Sequence, residues 1–224
     1  KDPLDPKQVG AQTITPVYQH EAQVVTYKTG KYKGRTIFFG GGEGRGLEIW
    51  DVTDKDKPSL VRRVAYPFVG YCHQGWLSAD KKYFYVNDEF DESTNGIATR
   101  TLVFDVSDID KADLVSTYST GKPSIDHNLY TRNDFIFHAN YTTGLWIFDG
   151  SESPLTPKLC GFFDTHPEND NAQFEGAWSN YPLLPSGTVL ISDINRGLFI
   201  VDASEATKVA VKVLDVKAQG ATGA

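Results

Sequence analysis

The chain has 224 residues, 40% of them hydrophobic and 23% charged, a globular composition that fits one large all-β domain or two ordinary ones. A net charge of −7 and a pI near 5.2 argue against a nucleic-acid partner, whose phosphates demand a basic face, and leave cations as small partners. No apolar run approaches the ~20 residues of a membrane helix, so no transmembrane segment is expected. No signal peptide is visible, and a start at Lys1 without any Met reads as a processed or incomplete chain.

In chain order, the opening KDPLDPKQVGAQTITP (residues 1–16) is comparable to DKDKPSLVRRVAYP further on, and reads as the outer strand of a preceding repeat. From residue 17 onward one pattern returns four times. Its clearest copies are LEIWDVT at Leu47, TLVFDVS at Thr101, LWIFDGS at Leu145 and LFIVDAS at Leu198, each a β-rich run ending in an aspartate: Asp51, Asp105, Asp149 and Asp202. Before each lies a second run (RTIFFGG, KYFYVND, DFIFHAN, TVLISD), and before that a third, starting at HEAQVV, HQGWLS, HNLYTR and EGAWSN. A fourth follows each copy: SLVRRVAY, DLVSTYS, PKLCGFF and VAVKVLD. Nothing carries the caps and 3.6-residue period of a long helix.

Four-stranded repeats of about 40–55 residues predict an all-β fold of β-propeller blades. The expected blades are 17–70, 71–124, 125–172 and 173–224. With the opening strand left over, they are expected to form part of a larger ring of about six or seven blades. The aspartates after the third strands suit turn caps. Cys72 and Cys160 fall on an inner and an outer strand of different blades, so no disulfide between them is expected.

The repeats and the longer motifs HQGWLSAD, NDEFDE, IDHNLY, ANYTTGLWIFD, GFFDTHPE, FEGAWSNYP and SDINRGLFIVD resemble the LVIVD repeat and the choice-of-anchor B family of bacterial proteins, from about His20 to Asp202. That resemblance implies an exported β-propeller, extracellular, periplasmic or tethered to the cell surface by a C-terminal anchor. It also implies a chain generally longer than this one and no defined catalytic activity. No anchor is recognisable after Asp215.

Aligning the repeats puts His20, His73, His127 and Glu175 in equivalent positions at the start of the innermost strands, followed by Glu21, Gln74, Asn128 and Gly176. Trp76 and Trp178 then align as blade-packing residues. The loops after the second strands reach the same mouth of the channel, bringing Asp88, Glu89, Asp91 and Glu92, and His138 with Asn140. Asp126, beside His127, joins them, and all five histidines, His166 included, are expected on this face. Imidazoles with carboxylates suit zinc, iron, copper or nickel, whereas the Asp88–Glu92 run, with Ser93 and Asn95, is either a solvated loop or an oxygen-rich calcium site. The structural reading, set against a site, is that each polar residue only hydrogen-bonds the neighbouring blade or a channel water.

No G-x-S-x-G, phosphate loop or H-E-x-x-H occurs, and Cys72 and His73, adjacent in a strand, should face opposite ways. Two functions remain in view. One is a binding or scaffold propeller for a protein or surface polymer. The other is a metal-dependent enzyme, hydrolase or lactonase-like, at the channel mouth.

Overall fold

The computed structural model describes residues 2–11 and 18–208. They form four antiparallel meanders in succession, each sheet following chain order. The first contains β1 (Ala22–Thr26), β2 (Thr36–Gly41), β3 (Leu47–Asp51) and β4 (Ser59–Val64). The second contains β5 (Cys72–Leu77), β6 (Tyr83–Asp88), β7 (Thr101–Asp105) and β8 (Asp113–Tyr118). The third contains β9 (Asn128–Arg132), β10 (Phe135–Ala139), β11 (Leu145–Asp149) and β12 (Lys158–Phe163). The fourth has three strands among the described residues: β13 (Ala177–Tyr181), β14 (Thr188–Asp193) and β15 (Gly197–Asp202). Its expected outer strand, VAVKVLD, lies outside the described residues. So does half of the opening strand around residues 9–14, of which Val9 to Ala11 are described and form no strand.

The innermost strands β1, β5, β9 and β13 run beside one another, and the sheets stack face to face, a propeller-like all-β arrangement. Strand alternation explains the stacking. In the third strands, Leu47 and Ile49 face the second blade and meet Phe84, Leu102 and Phe104. Val103 faces the third blade and meets Ile136, Trp146 and Phe148. Leu145 and Ile147 face the fourth and meet Val189, Ile191, Phe199 and Val201. Each such side chain, fully buried, contributes roughly 1.5–3 kcal/mol. The corresponding pair in the last blade, Leu198 and Ile200, is 62% and 68% exposed, so no described residue covers that face.

Two further features hold the wheel together. The turn aspartates behave as expected: Asp51, Asp105, Asp149 and Asp202 accept the backbone N–H of Thr53, Ser107, Ser151 and Ser204 at 2.8–2.9 Å. Between blades, the Gln74 amide both donates to the Leu129 carbonyl and accepts from the Leu129 N–H, each at 2.9 Å, like one rung of an extra strand. A one-turn helix, α1 (Asp91–Asn95), sits in the β6–β7 loop, where the sequence shows only an acidic run.

Candidate metal centre

β5 opens with a bulge. Cys72 pairs with Asp88 and Gln74 with Asn87, which leaves His73 as the extra residue. A bulge re-aims a side chain; here Cys72 enters the core between the first two blades while His73 turns to the hub. His127 stands at the matching place before β9, where Asn128 pairs with Ala139. His20 does so before β1, its N–H bonded to the Gly41 carbonyl.

The fourth blade corrects the sequence alignment. β13 carries the same kind of bulge, with Ala177 opposite Asp193 and Ser179 opposite Ser192, so the extra residue is Trp178. Trp178, not Glu175, is therefore the counterpart of His73, and it is not the counterpart of Trp76. Matching the two tryptophans displaced the fourth repeat by three residues, because apolar alternation alone does not fix which residue opens the strand. Glu175 lies in the linker before β13 and pairs with His166, its Oε2 3.5 Å from His166 Nε2.

The four equivalents form a continuous run of rings. Centroids of His20 and His73 are 4.2 Å apart, those of His73 and His127 4.3 Å, and those of His127 and Trp178 4.9 Å. His20 at one end is exposed, whereas His73 and His127 are 2% and 1% exposed.

Glu89 comes to this pair from the β6–β7 loop. Its carboxylate lies 3.3 Å from His127 Nε2 through Oε1 and 3.7 Å from His73 Nε2 through Oε2. The ligand atoms of His73, Glu89 and His127 all fall within 4.8 Å of one another. Atoms bound tetrahedrally to one zinc ion at ~2.0–2.1 Å lie roughly 3.3 Å apart, so the spacing fits a single ion.

The protonation pattern points the same way. His127 Nδ1 is 2.5 Å from the Trp178 carbonyl, which only accepts, so that nitrogen carries the proton and Nε2 of the neutral ring presents a lone pair to Glu89. Burial depresses His127 to about 4, and burial with the neighbouring His127 and His20 depresses His73 to about 2. Burial also raises the Glu89 carboxyl. Two neutral imidazoles facing a buried carboxylate need a proton or a cation between them. A backbone carbonyl on the far ring nitrogen is how ligating imidazoles are commonly oriented.

Tyr141, fully buried, donates a 2.6 Å hydrogen bond to Glu89 Oε1, and its ring lies 4.7 Å from that of His127. Gly176 allows this packing. It adopts φ +84, and a Cβ there would stand 2.4 Å from the Tyr141 carbonyl oxygen.

The remaining expected residues are placed elsewhere or act structurally. Asp88 is saturated by five donors, Tyr66 Oη and the N–H groups of Gly70, Tyr71, Phe90 and Asp91 at 2.6–3.2 Å, so it shapes the loop. Asp91 is held by Arg100 at 2.6 and 3.0 Å. Glu92 accepts the Asp126 N–H at 3.0 Å, and Asp126 accepts the Arg100 N–H at 2.8 Å, tying the loop of Glu89 to the residue before His127. The run thus divides: Glu89 alone joins the histidines. Ser93 caps back onto the Phe90 carbonyl, and Asn95 onto those of Asp91 and Phe68.

His138 also departs from the expected mouth. As a second-strand residue it is buried between blades two and three, bonded to Tyr118 Oη at 3.0 Å and 3.5 Å from Asn87 Nδ2. Asn140 builds the β10–β11 turn through its backbone, its N–H bonded to the Gly144 carbonyl. Asn128 Nδ2 reaches the Trp178 carbonyl at 3.4 Å, and Gln74 is the inter-blade rung described above. Glu21 is half-buried beside His20, its carboxyl raised by burial. Both cysteines are free. Tyr141 and Trp178 were the functional residues missed by sequence reasoning.

No family model and no curated protein matches the chain. Solved structures do resemble it. The periplasmic gluconolactonase PpgL of Pseudomonas aeruginosa superposes with a TM-score of 0.57 at 15% identity, over 82% of this chain and 49% of that one. A proposed 6-phosphogluconolactonase from Bacteroides fragilis gives 0.55 at 15% identity, over 84% and 59%. The computationally designed protein Ika4 gives 0.53 at 10% identity, over 88% and 99%. The chain therefore spans about half the length of the gluconolactonase and nearly all of the designed protein. At these identities the likeness extends to the fold. Among the described residues, no helix is long and apolar enough to cross a membrane.

Proposed function

We propose that this chain belongs to an exported β-propeller binding module whose hub holds one divalent transition-metal ion between His73, His127 and Glu89. The observation that carries the reading is the buried trio itself: two imidazoles and a carboxylate with ligand atoms within 4.8 Å of one another. Two nitrogens and one oxygen suit zinc or ferrous iron better than calcium, which takes six to eight oxygens. Location outside the cytoplasm, membership of the choice-of-anchor B family and a partner that is a protein or surface polymer rest on the sequence motifs. The uncovered Leu198 and Ile200 face supports a further element packed there; a ring of about six or seven blades rests on the sequence repeats.

A second reading is a metal-dependent hydrolase, lactonase-like in chemistry. The observation favouring it is that the trio offers three ligands, so a tetrahedral ion held there would keep one position for a water that it would activate near neutral pH. Two of the similar folds carry lactonase names. Elemental analysis of the purified protein tests the shared core: one metal per chain in the native protein, and none in His73→Ala, supports the hub. Absence of metal in both, with a lower melting temperature for His73→Ala, supports inter-blade stapling instead. Chelator-sensitive hydrolysis of a simple lactone would then favour the enzyme over the binding module.

A further inference from the structure

The ring of equivalent positions is not uniform. Three blades contribute imidazoles, and the fourth contributes an indole through the same kind of β-bulge. Trp178 touches the centre twice: its carbonyl fixes the His127 tautomer, and its ring packs edge-on to the His127 ring at 4.9 Å. It has no role in the hydrophobic core and is 48% exposed. Phe174, 51% exposed, lies 5.4 Å from Tyr141, which is itself 6.0 Å from Trp178 and bonded to Glu89. Phe90 lies 6.0 Å from Phe174, so three part-exposed aromatic rings lie beside a polar, largely buried trio whose most exposed member is Glu89 at 8%.

Large aromatic side chains left part-exposed beside buried polar groups form the apolar wall of a site in which a few polar atoms orient the ligand. We infer that the hub takes a small ligand that donates oxygen to the metal and carries a flat ring, the ring resting against Trp178. This deepens the metal reading and rests on it. Tryptophan at the fourth equivalent position would serve both ends: it would offer the ion no ligand and would supply a surface for whatever completed its coordination.

The test uses two matched probes on the zinc-loaded full chain, benzohydroxamate and acetohydroxamate, which share a chelating group and differ in the ring. Calorimetry of the unmodified protein is expected to show tighter binding of benzohydroxamate by about 2- to 12-fold, the range that one aromatic contact contributes. Trp178→Ala should equalise the two probes, and Trp178→Phe should restore part of the difference, each variant being titrated at its own measured zinc occupancy. Equal affinities in the unmodified protein, or a preference that survives Trp178→Ala, would overturn the inference while leaving the metal centre intact. Failure of the unmodified protein to retain zinc would overturn the metal reading and this inference together.

Discussion

Tyr141 donates its hydroxyl to Glu89 across 2.6 Å, and the two residues occupy corresponding positions of consecutive blades. Counted from Tyr83 and Phe135, the residues opposite the turn aspartates Asp105 and Asp149, each stands at the same step beyond its second strand. A repeat position that is a carboxylate in one blade and a phenol in the next thus becomes a hydrogen bond at the hub. Removing the hydroxyl leaves Glu89 without this orienting donor. Tyr141→Phe is expected to lower zinc affinity by about 10- to 100-fold, as loss of a partner behind a ligand typically does. Competition against a chromophoric chelator measures it, and unchanged affinity would remove Tyr141 from the site.

Gln74 separates stapling from binding. Its two bonds to Leu129 are buried, and Gln74→Ala strands both backbone groups at a cost of about 1–3 kcal/mol each. A lower melting temperature with normal metal content is expected. Loss of metal with normal stability would instead make Gln74 part of the centre.

The acidic loop predicts a pH dependence. Asp88, Asp91, Glu92 and Asp126 are buried, with the Arg100 guanidinium paired to Asp91, and burial together with the adjacent Asp91 pushes Glu92 up to about 9. In the unfolded chain Glu92 releases its proton near the ordinary carboxylate value of about 4.3. The folded state therefore holds a proton that the unfolded state has lost, and stability falls as pH rises from that value toward 9. Glu92→Gln should flatten this limb in urea melts recorded from pH 5 to 9. An equally steep limb in the variant would mean that Glu92 folds ionised.

The cysteines differ in reach. Cys72 is completely buried, and burial pushes its thiol up to about 12; Cys160 is exposed on β12, where partial burial of its sulfur and the nearby Asp149 push the thiol up to about 11. A thiol reagent should modify Cys160 slowly in the native protein and Cys72 only after unfolding. Rapid reaction of two thiols in the native state would contradict the packing of β5.

The wheel was legible because its signals are local. Third-strand runs ending in Asp51, Asp105, Asp149 and Asp202 name both the strand and its turn, and His20, His73 and His127 sit where the repeats place them. Glu175 was misplaced because pairing Trp178 with Trp76 set the fourth repeat three residues out of register. His138 was misplaced because a second-strand side chain points into the gap between blades. Glu89 could not be singled out within Asp88–Glu92, since the division depends on which carboxylate the Tyr66, Gly70 and Tyr71 donors saturate. Tyr141 gave no signal: its role exists only once two loops from different blades meet.

Anomalous diffraction from crystals of the purified protein, recorded above and below the absorption edge of the metal found by elemental analysis, tests the central claim most directly. One peak is predicted, about 2.0–2.2 Å from His73 Nε2, His127 Nε2 and a Glu89 carboxylate oxygen. No peak between these three residues, with the Glu89 carboxyl hydrogen-bonded directly to His127 Nε2, would contradict it.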